Sequence, residues 1–259
     1  MFRDLKNLRQ LDLGHNELKR IPTEIFENLS NLTSFSLENN PLITLESDQF
    51  SSFVKLKTLN LMKTSLDDFP PLQTENNVCK YSKIGSDRFN YWYFSVLEHL
   101  WLDGNELVDV PDLSHLPALK SVSLSSNPIE HIKTKAFFNL TELVKVYMSD
   151  LDFLIMIEER AFSNLPKLNE LQISGCRKLQ FIHAGAFEDT PMLRVLDLSG
   201  NGLHTVTDLW NTLPRLELIK LEHVSTESNK ILNLAFTGSR FLEVILEFIK
   251  MRLFNQLDD

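Results

Sequence analysis

Only two cysteines, Cys79 and Cys176, stand in a chain of 259 residues. They cannot staple a fold of this length, so stability has to come from a buried apolar core. Basic charge is short as well: 26 Lys and Arg against 35 Asp and Glu give a formal charge of −9. That balance leaves no cationic stripe to neutralise phosphates, which argues against nucleic acid as a partner. A bilayer-crossing run of roughly eighteen apolar residues is missing too, so membrane attachment would need segments outside this chain. The opening Met1-Phe2-Arg3-Asp4-Leu5-Lys6 carries charge where a secretory leader needs an apolar stretch. No glycine-rich phosphate cradle, nucleophile elbow, zinc-spaced cysteine pair or His-Glu-x-x-His occurs. The sequence is therefore expected to lack a catalytic site, a cofactor, a metal site and a small-molecule substrate.

Leucine is in excess, with 46 copies in the chain, and its spacing is regular. The template Leu-x-x-Leu-x-Leu-x-x-Asn-x-Leu lies on Leu8, Leu11, Leu13, Asn16 and Leu18, and returns at Leu32, Phe35, Leu37, Asn40 and Leu42. Later copies start at Leu56, Leu97, Leu119, Leu143, Leu168, Leu193 and Leu216, with successive offsets of 24, 24, 41, 22, 24, 25, 25 and 23. Alternation of Leu-x-Leu describes a strand with one buried face. One strand per two dozen residues cannot cover that face alone and must stack on its neighbours, which gives a solenoid. The Asn at each strand exit would turn inward and bond backbone groups of adjacent repeats. Thr64, Leu151, Cys176 and Val224 stand in that place in four copies, and the ladder is expected to be weaker at Leu151 and Val224. Cys176 reads as a small buried hydrophobe. A second column, Phe26, Phe50, Phe137, Phe162, Phe187 and Trp210, tracks the same period and predicts an aromatic spine on the convex side.

With these motifs, residues 5 to 224 resemble the leucine-rich repeat family. Segments such as Ile21-Pro22-Thr23-Glu24-Ile25-Phe26 and Ala161-Phe162 look like its Phe-spined subtype, as in Toll-like and chaoptin-like proteins. The resemblance implies an α/β-class solenoid of about nine repeats: a curved parallel sheet inside and few regular helices outside. It also implies an extracellular or cell-surface location, on a receptor or adhesion-type ectodomain. Extracellular members usually close both ends with cysteine-rich caps, and the sequence carries neither, so it reads as a piece of a longer protein. The three Asn-x-Ser/Thr sequons, at Asn28, Asn31 and Asn139, are no more than the composition would give by chance.

Two stretches interrupt the period. The long offset contains an insertion, residues 73–96, that reads either as an aromatic-rich loop or as a segment foreign to the repeat. Deleting the 17 residues 79–95 would restore a spacing of 24. Residues 225–259 form a non-repeat C-terminal segment in which Phe241 to Phe254 suggests a helix.

What remains for function is the concave surface. Residues flanking the central Leu of each strand face it, and among them Trp101 and Tyr147 are large aromatics with no core role. Neighbouring strands lie about 4.8 Å apart, which puts these two about 10 Å apart, with Ser121 and Ser123 as a shallow floor between them. His99, Lys145 and Asp103 complete the candidate protein-binding set. The alternative, that these are scattered surface residues, stays open at this point. The expected function is non-catalytic recognition of a protein ligand on the concave face, with an intracellular, cytoplasmic adaptor or scaffold as the other reading.

Overall fold

A computed structural model describes residues 2, 4–22, 25, 26, 28–43, 45, 47–50, 52–69, 94–204, 213–224 and 243–245. In chain order the strands are β1 (Gln10–Asp12), β2 (Ser34–Ser36), β3 (Thr58–Asn60), β4 (His99–Trp101), β5 (Ser121–Ser123), β6 (His131–Ile132), β7 (Lys145–Tyr147), β8 (Met156–Ile157), β9 (Glu170–Gln172), β10 (Phe181–Ile182), β11 (Val195–Asp197), β12 (Leu218–Lys220) and β13 (Glu243–Ile245). Ten of them form one sheet in the order β1-β2-β3-β4-β5-β7-β9-β11-β12-β13, and β10-β8-β6 form a second. Every pairing is parallel. Among the described residues there is no α-helix; two short 3-10 turns, Ser47–Phe50 and Ala184–Phe187, lie on the connections. This is the expected repeat solenoid, with a strand in each of the nine repeats read from sequence.

The central residues of the strands fall into one interior file. Phe35 pairs with Leu59, Leu59 with Leu100, Leu100 with Val122, and the register continues through Val146, Leu171, Leu196 and Ile219. All eight are at most 1% exposed. Each such side chain removed from water is worth about 1.5–3 kcal/mol, and it finds that shelter on the neighbouring repeats rather than in its own.

The strand exit is equally regular. His15, Asn39, Lys63, Gly104, Ser126, Asp150, Gly175, Gly200 and His223 occupy the same place in nine repeats, and all have φ between +53° and +73°. Six of them are not glycine, at a cost of roughly 1–2 kcal/mol each. The turn is held because its backbone N–H donates to the next repeat: Ser126 N to Ser149 O at 2.8 Å, Asp150 N to Ser174 O at 2.8 Å and Gly200 N to Glu222 O at 2.7 Å.

Behind this turn runs the Asn ladder. Asn127 Nδ2 donates to Leu102 O at 2.9 Å and Leu124 O at 2.8 Å, while Leu107 N donates to its Oδ1 at 3.2 Å. Asn40, Asn105 and Asn201 bridge in the same way. Leu151 is fully buried and brings no polar group, and Cys176 offers only a thiol, 3.5 Å from Met148 O. Two consecutive repeats thus lack the amide bridge. Burial pushes the Cys176 thiol up to about 12.

On the convex side Phe137, Phe162 and Phe187 stack at 5.2 and 5.6 Å. In the N-terminal half the spine zigzags instead: Phe26 reaches Phe50 through Phe53, at 5.2 and 6.0 Å, and Phe50 meets Phe94 at 5.1 Å. Trp210 lies outside the described residues.

Most of the insertion, residues 73–93, lies outside the described residues, but Phe94 is fully buried. It stands three residues before the first Leu of its repeat, the place that Leu29, Phe53, Leu116, Leu140 and Leu165 fill elsewhere. Excision of 79–95 would put Asn77 there, so restoring the period in that way would damage the core. In the C-terminal segment the expected helix over Phe241–Phe254 meets a different outcome at Glu243–Ile245, which pair with β12 as a tenth rung. The offset from Leu218 to Glu243 is 25, and Phe241-x-x-Val244-x-Leu246 repeats the strand template. The other residues of 225–259 are outside the described set.

Candidate functional site

Strand β4 turns Leu100 inward and therefore presents His99 and Trp101 to the concave face; β5 presents Ser121 and Ser123, and β7 presents Lys145 and Tyr147. Trp101 pairs with Ser123, and Ser123 with Tyr147. The two aromatic rings approach to a centroid distance of 6.5 Å at an interplanar angle of 30°. That is closer than the separation of about 10 Å between their strands. They lean toward each other because the residue between them is small. Ser121 and Ser123 are each only 5% exposed, so the shallow floor expected from the sequence is covered.

His99 continues the ledge. Its ring is nearly parallel to the indole, at 6.4 Å and 7°, and Nδ1 lies 2.6 Å from Ser121 Oγ. Asp103 follows Trp101 by two residues and joins the same group through Ser123, whose hydroxyl donates to Asp103 Oδ1. Ser125 N donates to that same oxygen at 3.2 Å. Lys145 lies beside Tyr147 and its ammonium pairs with Glu170 at 2.6 Å; Glu170 first, and Tyr147 after it, raise the lysine's pKa. The geometry thus gathers Trp101, Tyr147, His99 and Asp103, while the charge of Lys145 is already matched. The rings remain half-buried with part of their surface in water.

Sequence reasoning missed a charged cluster at the strand entrances. Glu98 accepts from Lys57 and Lys120, each at 2.8 Å, across three adjacent repeats. These two lysines hold the Glu98 carboxyl well below the usual carboxylate range, at about 2. The signal was available, since all three residues directly follow the first Leu of their repeat.

Elsewhere, a cleft of about 320 Å³ is lined by Asp109, Asp112, His131 and Lys133, with Lys133 and Asp109 paired at 2.7 Å. A second, of about 450 Å³, lies over Asp150, Gly175, Arg177 and His223. The Glu158 carboxylate accepts from Thr134 N at 2.8 Å. Among the described residues no group of three His, Cys, Asp or Glu side chains is placed to hold a metal ion. No described helix is long and apolar enough to cross a membrane.

Comparison with known proteins agrees with this architecture. Podocan-like protein 1 of Mus musculus is 33% identical over 149 residues, 57% of this chain and 23% of its own length. Tsukushi of Gallus gallus is 30% identical over 150 residues, 58% of this chain and 36% of its own. Osteomodulin of Rattus norvegicus is 31% identical over 145 residues, 54% of this chain and 29% of its own. The chain therefore spans between about a quarter and a third of these relatives' lengths. Among solved structures, an internalin from Listeria monocytogenes superposes with a TM-score of 0.58 at 20% identity, covering 95% of this chain and 69% of that one. That similarity concerns the fold. The leucine rich repeat family profile matches residues 6–66, 117–177, 150–203 and 166–224, well over half the sequence. With its strand register, asparagine ladder and profile matches in agreement, the chain belongs to the leucine-rich repeat family.

Proposed function

We propose that this chain is a protein-recognition segment that binds its partner on the concave face, as part of a receptor or adhesion-type ectodomain outside the cell, and carries out no catalysis. The observation that carries the reading is the ledge of Trp101, Tyr147 and His99. Core packing accounts for every central strand residue but not for large rings on the open face. Half-exposed aromatics with locked neighbours are what protein interfaces use as anchors. The extracellular placement draws its support from the likeness to the Phe-spined subtype of the family.

The test is a binding screen of the purified chain against a panel of recombinant ectodomains, repeated with the Trp101→Ala/Tyr147→Ala double variant. A partner that binds the wild type and is lost by the double variant, with an unchanged unfolding midpoint, supports the proposal. Undiminished binding by the double variant rejects it.

A further inference from the structure

The concave face has an unbalanced charge, and the imbalance sits beside the aromatic ledge. Three residues per repeat look onto this face: the first and third of each strand and the second residue beyond it. Over the nine repeats read from sequence these positions hold six acids and two lysines. Lys145 is matched by Glu170 at 2.6 Å and Lys220 by Asp197 at 3.5 Å. Asp12, Glu38, Asp103 and Glu222 are left without a cationic partner among the described residues. The strand-entrance rim is the opposite, with Arg9, Lys57, Lys120 and Arg194 outnumbering Glu98 and Glu217.

Of the four uncompensated acids, only Asp103 adjoins the rings. Its Oδ1 is fixed by Ser123 and Ser125 N, and its Oδ2 has no hydrogen-bond partner among the described residues. A positioned carboxylate beside an indole is a site for a planar cation. The ring's negative face attracts the charge, while the carboxylate accepts the N–H groups at the cation's edge. A guanidinium can do both at once, whereas an ammonium is a point charge and must choose.

We propose that Trp101 and Asp103 take an exposed arginine of the partner protein, with Tyr147 closing the far side of the ledge. This rests on the concave-face reading above and adds the chemistry of the partner. A neutral sugar could also lie on such rings, but it would leave Asp103 and the other three carboxylates uncompensated.

The proposal is tested on the full chain with a capped octapeptide, Gly-Ser-Arg-Gly-Ser-Arg-Gly-Ser, and with its citrulline counterpart, which keeps the shape and loses the charge. The readout is the indole N–H resonance of Trp101, identified with Trp101→Phe. The arginine peptide should shift it saturably, with binding that weakens as salt is raised, and the citrulline peptide should leave it in place. Asp103→Asn keeps an acceptor for Ser123 and should weaken the arginine peptide by about fivefold, with the unfolding midpoint measured alongside. Equal shifts from both peptides, a neutral oligosaccharide shifting the resonance where the arginine peptide does not, or unchanged affinity in Asp103→Asn would each overturn it. If an ectodomain partner is lost by the Trp101→Ala/Tyr147→Ala variant while the arginine peptide does not bind, the concave-face reading stands and the arginine assignment falls.

Discussion

With one amide Asn127 donates to Leu102 O and Leu124 O and accepts from Leu107 N. All of this is buried, so Asn127→Ala leaves polar groups without partners. We expect a loss of about 2–4 kcal/mol in urea unfolding, and a change under about 0.5 kcal/mol would contradict the ladder's structural role. His115 is the opposite case. Its Nε2 is buried with no hydrogen-bond partner among the described residues, and its ring stacks on Phe69 at 6.2 Å. Burial lowers its pKa below the ordinary 6.5, with Asp112 opposing more weakly. Protonation is therefore harder in the folded than in the unfolded chain, so stability is full above 6.5 and falls as pH drops below it. His115→Phe should lose less stability between about pH 7.5 and 5.5 than the wild type, and equal losses would show that His115 contributes nothing to the pH dependence. At this scale the sequence revealed the buried residues well, because their period is fixed. It placed Trp101 and Tyr147 on the right face but not their lean over Ser123, which depends on the volume of a neighbour in another repeat. Nor did it show that Glu170 neutralises Lys145, since a cross-strand pair depends on register.

Between residues and the whole stand the strand exits and entrances. At the exit near Gly202 a Cβ would come within 2.2 Å of the backbone oxygen of Arg177. Gly202→Ala must displace backbone, and we expect a loss above about 1.5 kcal/mol in thermal or urea unfolding; a neutral effect would mean that the exit turn yields. At the entrance, the Lys57–Glu98–Lys120 cluster depresses the Glu98 pKa from 4.5 to about 2. Its contribution is present above pH 4.5 and is lost as pH falls through about 2. Glu98→Gln should flatten that part of the acid unfolding profile, and the difference from wild type should shrink in roughly 1 M salt, because the cluster faces water. Most elements were legible because Leu-x-Leu alternation is a local signal. The second sheet of β6, β8 and β10 was not, since its two-residue strands are too short to carry a period. The strand at Glu243–Ile245 was hidden by the apolar run around it, in which helix and strand patterns overlap.

For the molecule as a whole, each repeat supplies half of its neighbour's shelter. The insertion shows what that demands, because Phe94 belongs to the core while the residues before it are counted outside the repeat. Two deletions of equal length separate these roles. Removing 77–93 keeps Phe94 in place, and removing 79–95 replaces it by Asn77. The second should be less stable by about 3–5 kcal/mol in urea unfolding, and equal stabilities would deny Phe94 its core role. The most direct test of the account uses two adjacent residues of β4. Leu100 faces the interior file and Trp101 the open face, so Leu100→Ala and Trp101→Ala should part company in urea unfolding of the full chain. The account predicts a loss of about 3 kcal/mol for Leu100→Ala and under about 1 kcal/mol for Trp101→Ala. Equal losses, or a larger loss for Trp101→Ala, would contradict it, because the ring would then be serving the core instead of a partner.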